Sequence, residues 1–110
     1  MKRPTDVNVG GAVFEIAFTS DMLPDRDLMG VCDYNTRVIR VLIMTDEGHD
    51  YNEEALHDIL CHEIDHAINW RFNGNAASVD MEYVSNSRGQ GWSQVIHDNP
   101  ILVKWLQGGN

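Results

Sequence analysis

Positive charge is scarce in this chain. Eight lysines and arginines stand against 17 aspartates and glutamates, a formal net charge of −9 over 110 residues. A nucleic-acid binder needs a basic face to neutralise phosphates, and no run here supplies one, so nucleic acid is not an expected partner. Cysteine is also sparse: Cys32 and Cys61 make neither a dense disulfide framework nor a CxxC site. No stretch approaches the about 20 apolar residues of a membrane span. The opening MKRPTDVNVGGAVFEIAFTS has no continuous apolar segment of signal length. A reducing cytoplasm is the natural compartment, with no membrane partner. No internal repeat or low-complexity tract is visible. The length fits a single domain, 1–110, with a modest core and with residues 1–11 and 107–110 loosely ordered. Most of the carboxylates outside the motif described below serve to keep a small protein soluble.

Residues 1–11 are polar and end in Gly10-Gly11, a lead-in. From Val13 to Phe18 the chain alternates, with Phe14, Ile16 and Phe18 on one face and Val13, Glu15 and Ala17 on the other, the pattern of a half-buried strand. Ser20 to Gly30, with Pro24 and three aspartates, reads as a connection. Val31–Tyr34 is a short strand, Asn35-Thr36 its turn, and Arg37–Met44 a β-branched run that carries the strongest strand signal in the chain. The expected sheet is three-stranded, antiparallel or mixed.

Residues 50–72, DYNEEALHDILCHEIDHAINWRF, then read as one amphipathic helix. Asp50 is the expected N-cap, with Glu53 three residues on, and Asn73-Gly74 is the stop. Ala55, Leu56, Ile59, Leu60, Ile64, Ala67, Ile68 and Phe72 recur three and four apart and form the buried stripe. Cys61, on a neighbouring face, is expected to be a small buried residue behind the site. A second helix is expected from Val79 or Asp80 to His97, with Met81, Val84, Val95 and Ile96 as its apolar positions. A break near Gly89 is the alternative, since glycines in a helix interior cost about 1 kcal/mol each. Asp98-Asn99-Pro100 ends it, and Ile101–Leu106 is a short last helix with Leu102, Trp105 and Leu106 inward.

The first helix carries His62-Glu63-Ile64-Asp65-His66. Histidines four apart point the same way, one turn above the other, so both imidazoles can reach one metal ion. Glu63 sits beside them as a base for a metal-bound water, the H-E-x-x-H arrangement of zinc metallopeptidases. A catalytic zinc site usually takes a third protein ligand. Phe72 stands six residues after His66, which excludes the all-histidine extension of the motif. Glu82 is the first choice, early in the second helix after a short link. Asp80 and His97 stand behind it, and His49 and His57 further back. Asp65 either supports an imidazole or is simply solvated. Tyr34, Tyr83, His97 and His49 are the candidates for a group that stabilises the transition state. Trp70, Trp92 and Trp105 read as packing anchors.

His62–His66, followed sixteen residues later by Glu82-Tyr83-Val84-Ser85, resembles the gluzincin pattern of H-E-x-x-H and then E-x-x-A, with Ser85 in place of the alanine. With its length, its strand hairpin and its Asp98-Asn99-Pro100 close, the chain is similar over residues 30–106 to small phage-type gluzincins related to ImmA/IrrE metallopeptidases. That resemblance implies an α+β, zincin-like domain: a small sheet packed on the active-site helix, then a second helix carrying the third ligand. It implies Zn2+ held by His62, His66 and Glu82, with Glu63 as catalytic base, and cleavage of a protein or peptide substrate in the cytoplasm. It also implies that an edge strand beside the cleft, expected to be Arg37–Met44, pairs with extended substrate. The rival expectation is a non-catalytic, zinc-stabilised interaction module. Either would be a monomer or a weak homodimer.

Overall fold

A computed structural model of the chain describes residues 2–21, 29–45, 47–74 and 81–108, without the side chains of 81–85. The alternation around Phe14 becomes strand β2 (Ala12–Thr19), with Phe14 fully buried and Val13 about half exposed. Strand β3 (Gly30–Asp33) and strand β4 (Val38–Leu42) form the expected hairpin. The Asp33 carboxylate accepts from the backbone N–H of Asn35 (3.0 Å) and Thr36 (3.2 Å) and so shapes the turn. Chiefly because of these bonds, its carboxyl lies below the usual range.

The sheet has four strands rather than three, because the polar lead-in contributes strand β1 (Asp6–Val9). Gly10 and Gly11 both take positive φ (57° and 88°) and close a two-residue hairpin that only such residues make easily. Val7 and Val9 are thereby fully buried while Asp6 stays exposed, so residues 6–9 are a half-buried strand of the sheet and not a loose end. The strand order is β1-β2-β4-β3: β1 is antiparallel to β2, β2 parallel to β4, and β4 antiparallel to β3. β4 is therefore an interior strand. The Arg37–Met44 run has no free edge to offer a substrate; the edge strands are β1 and β3, and β3 is the one beside the cleft.

Helix α1 (Glu53–Asn73) crosses the sheet and buries Leu56, Ile59, Leu60, Ile64, Ala67 and Ile68 against it. Burial of each large aliphatic side chain stabilises by about 1.5–3 kcal/mol. The N-cap is Asn52 and not Asp50. Asp50 still bridges to Met44, and the Tyr51 N–H bonds Ile43 O, so the chain is extended up to that point. The Asn52 side chain then accepts from the Ala55 N–H at 2.8 Å. Gly74, at φ 60°, closes the helix in the left-handed conformation.

Helix α2 (Met81–Asp98) runs unbroken through Gly89 and Gly91. The two glycines differ in kind: a Cβ at Gly89 would meet nothing within 4 Å, whereas one at Gly91 would run into Ile68 and lie 3.1 Å from Phe72. Gly91 is what lets α2 lie close on α1. Val95 is buried as expected, but Ile96 is 56% exposed, one position off the buried stripe. Asn99 breaks the helix, and helix α3 (Pro100–Leu106) buries Leu102 and Trp105. The indole of Trp105 donates to Glu53 at the start of α1 (2.9 Å).

Asn99 also closes one edge of the sheet. Its side-chain amide accepts from the N–H of Asn8 (2.8 Å) and donates to the C=O of Asn8 (2.9 Å), as a neighbouring strand would. Gln94 adds a bond to the same carbonyl at 3.0 Å. No described strand pairs with the outer edge of β3.

The contrast between the two α2 glycines is testable by chemical denaturation. Gly89→Ala is expected to stabilise by about 0.5–1 kcal/mol through helix propensity. Gly91→Ala is expected to destabilise by about 1–3 kcal/mol through overpacking against Ile68.

Candidate metal centre

Helical phase divides the motif into an exposed part and a buried part. His62 and His66 stand on the exposed side of α1, while Glu63 falls in line with Ile59 and Ala67 on the buried stripe and is 6% exposed. A carboxylate in that line needs room, and Gly30 provides it. A Cβ at Gly30 would lie 2.9 Å from Ile59 Cγ2, 3.0 Å from Glu63 Cγ and 3.1 Å from Glu63 Oε2. The β3 backbone thus rests directly on the Glu63 side chain.

The two imidazoles converge. His62 Nε2 and His66 Nε2 lie 3.2 Å apart, with the rings near perpendicular (81°) and their centroids 4.8 Å apart. Two nitrogens on a tetrahedral ion at about 2.0–2.1 Å are separated by about 3.3 Å, so the pair already has the spacing of two zinc ligands. Below them is a cleft of about 260 Å³, floored by Glu63 and walled on the β3 side by Gly30, Val31, Cys32 and Tyr34.

Burial pushes the Glu63 carboxyl above its ordinary value, and the neighbouring His66 and His62 pull against that shift. The Cys32 thiol is pushed up to about 12, mainly by burial and further by Glu63 and Asp33, so it is a neutral wall at physiological pH. Burial, with Cys32 and Glu63, also raises the Tyr34 phenol and keeps it a proton donor. The Tyr34 ring is fixed by stacking on Trp70 (5.5 Å, 10°), one turn beyond His66. Trp70 in turn meets Phe14 edge-on at 5.8 Å and lies under the Arg37 guanidinium at 5.2 Å.

The other candidates separate cleanly. His97 has a side chain 87% exposed, pairs with Asp98, and lines a different groove on α2 with Gln90 and Ser93. His49 is exposed in the loop before α1. His57 packs edge-on against Trp105 at 4.2 Å. None of these three lines the cleft. Asp80 and the side chains of Glu82 and Tyr83 lie outside the described residues. Among the described residues no three His, Cys, Asp or Glu gather as a complete metal-holding group. Cys61 is half-buried rather than buried. Asp65, with a side chain 36% exposed, is partly solvated and bonds no imidazole among the described residues. It accepts from Trp92 Nε1 at 3.2 Å and pairs with Arg88 at 3.4 Å, both on α2.

Sequence reasoning missed Gly30 and Cys32 as cleft residues, since they lie where a connection gives way to a short strand. The one available signal was that glycine at the head of a strand marks a close backbone approach. None of the described helices is long and apolar enough to cross a membrane. No family model, curated protein or solved structure matches the chain.

The buried carboxyl has a consequence for metal-free protein. A group whose folded-state pKa is raised gives stability that is complete below its unfolded value, 4.5 for glutamate, and is lost as pH rises through the folded value. Glu63→Gln removes that loss. Thermal unfolding of the metal-free variant is therefore expected above that of wild type at about pH 8, with the gap narrowing toward about pH 4. A gap independent of pH would show that burial of the charge is not the cause.

Proposed function

We propose that the chain is a zinc-dependent metallopeptidase acting on protein or peptide substrates. The observation that carries this reading is the 3.2 Å approach of His62 Nε2 and His66 Nε2 at the mouth of a cleft floored by the Glu63 carboxyl. A structural zinc site has no use for a buried base beside its ligands, whereas a hydrolytic site requires one. His62 and His66 would hold the ion, with Glu82 of α2 as third ligand. When bound, zinc supplies an acidified water and a Lewis acid for the scissile carbonyl.

The protein's own groups do the rest. Glu63 takes a proton from the attacking water and passes it to the leaving amine. Its desolvated surroundings raise its affinity for that proton above that of an ordinary glutamate, against the pull of His66 and His62. Tyr34 donates a hydrogen bond to the carbonyl oxygen as charge develops there, and the Trp70 stack holds its ring in place. Extended substrate lies along the outer edge of β3, because Asn99 and Gln94 occupy the opposite edge of the sheet.

Zinc-loaded protein should cleave an unfolded substrate such as denatured casein or a random peptide library. Glu63→Gln should lower that rate by at least about 100-fold while keeping its zinc. A wild type that binds zinc and cleaves neither substrate would instead favour the zinc-stabilised interaction module.

A further inference from the structure

We propose that Asp65 is a positioning residue for the metal. By gripping α2 it fixes how that helix stands against the His62–His66 face of α1, and so sets the affinity of the site for zinc. The inference rests on the zinc reading above.

The carboxylate of Asp65 is divided between two residues one turn apart on α2. Oδ1 accepts from the Trp92 indole at 3.2 Å, and Oδ2 faces Arg88 Nη2 at 3.4 Å. Asp65, Ile68 and Phe72 fall three and four apart on α1, and Ile68 and Phe72 are the side chains that crowd Gly91. These apolar contacts set how near α2 approaches, but they are not directional. The hydrogen bond at Asp65 is directional, and it fixes the sliding register of the two helices.

Asp65 directly precedes His66, so the grip lies beside the imidazoles. A metal tolerates ligand distances within about 0.2 Å, and a third ligand carried by α2 depends on that register. The Trp92 bond matters more than the Arg88 pair, whose side chains are 44% and 36% exposed and in a screened setting.

The test is the zinc dissociation constant, measured by competition with a chromophoric chelator on the full chain, with folding followed by circular dichroism. Asp65→Ala and Trp92→Phe are expected to weaken zinc binding about 10- to 100-fold. Asp65→Asn keeps an oxygen that accepts from Trp92 and is expected to stay within about threefold of wild type. In a Glu82→Ala background, Asp65→Ala is expected to add less than about threefold, because both changes act through α2.

Wild-type affinity in Asp65→Ala overturns the proposal and leaves the zinc reading standing. So does an Asp65→Asn loss as large as that of Asp65→Ala, which would show charge and not docking at work, or full additivity with Glu82→Ala. Should Asp65→Ala fail to fold, the contrast between Trp92→Phe and Asp65→Asn decides the matter in the same way. Absence of zinc binding in wild type removes the zinc reading itself and this inference with it.

Discussion

The site depends on one close approach: the backbone of β3 at Gly30 resting on Ile59 and Glu63 of α1. A side chain there would push the strand away from the helix, since even a Cβ would sit 2.9 Å from Ile59. With glycine, the strand comes down onto the carboxylate and removes most of its water. The same approach places Cys32 and Tyr34 opposite the helix and so makes a cleft out of an edge strand and one helix face. A buried carboxyl stands beside two exposed imidazoles because the helix changes from core to solvent between adjacent residues.

The second constraint is how α2 is held. Gly91 sets its distance from α1, Asp65 grips it through Trp92 and Arg88, and Asn99 and Gln94 at its far end stand in for a missing strand beside β1. One helix thus covers part of the core and, with Asn99 just beyond its end, closes one sheet edge. The open edge of β3 and the cleft between it and α1 are left at the opposite edge of the sheet. Among the described residues, that asymmetry leaves the outer edge of β3 as the strand edge beside the cleft at which an extended chain can add.

Much of this was legible in the sequence. The period-two alternation at Val13–Phe18 and the three-and-four spacing along α1 report burial directly, and both are realised, as is the stop at Gly74. The α+β class followed from them. β1 was hidden because only Val7 and Val9 are apolar in it, and its hairpin glycines resemble the end of a polar tail. Helix α2 looked breakable at Gly89 because propensity sees the cost of a glycine and not the neighbour that requires one at Gly91. The N-cap shifted from Asp50 to Asn52 through a bridge to Met44 that local sequence does not encode.

At the site, the pairing of His62 with His66 and the placing of Glu63 between them needed only helical geometry. Asp65 is partly solvated as expected, but its bonds to α2 were not legible because the partners lie 23 and 27 residues away on another helix. Edge and interior strands could not be told apart, because strand order is a property of the crossover from β2 to β4 and not of any strand's composition.

The most direct measurement is zinc per chain by elemental analysis, on wild type and Glu82→Ala purified without added metal. About one zinc in wild type, lost or weakened in Glu82→Ala, is the expected result for a three-ligand centre built on the His62–His66 pair. A wild type that takes up no zinc even when the metal is added would contradict the account, and the convergent imidazoles would then be a surface pair on a packing helix.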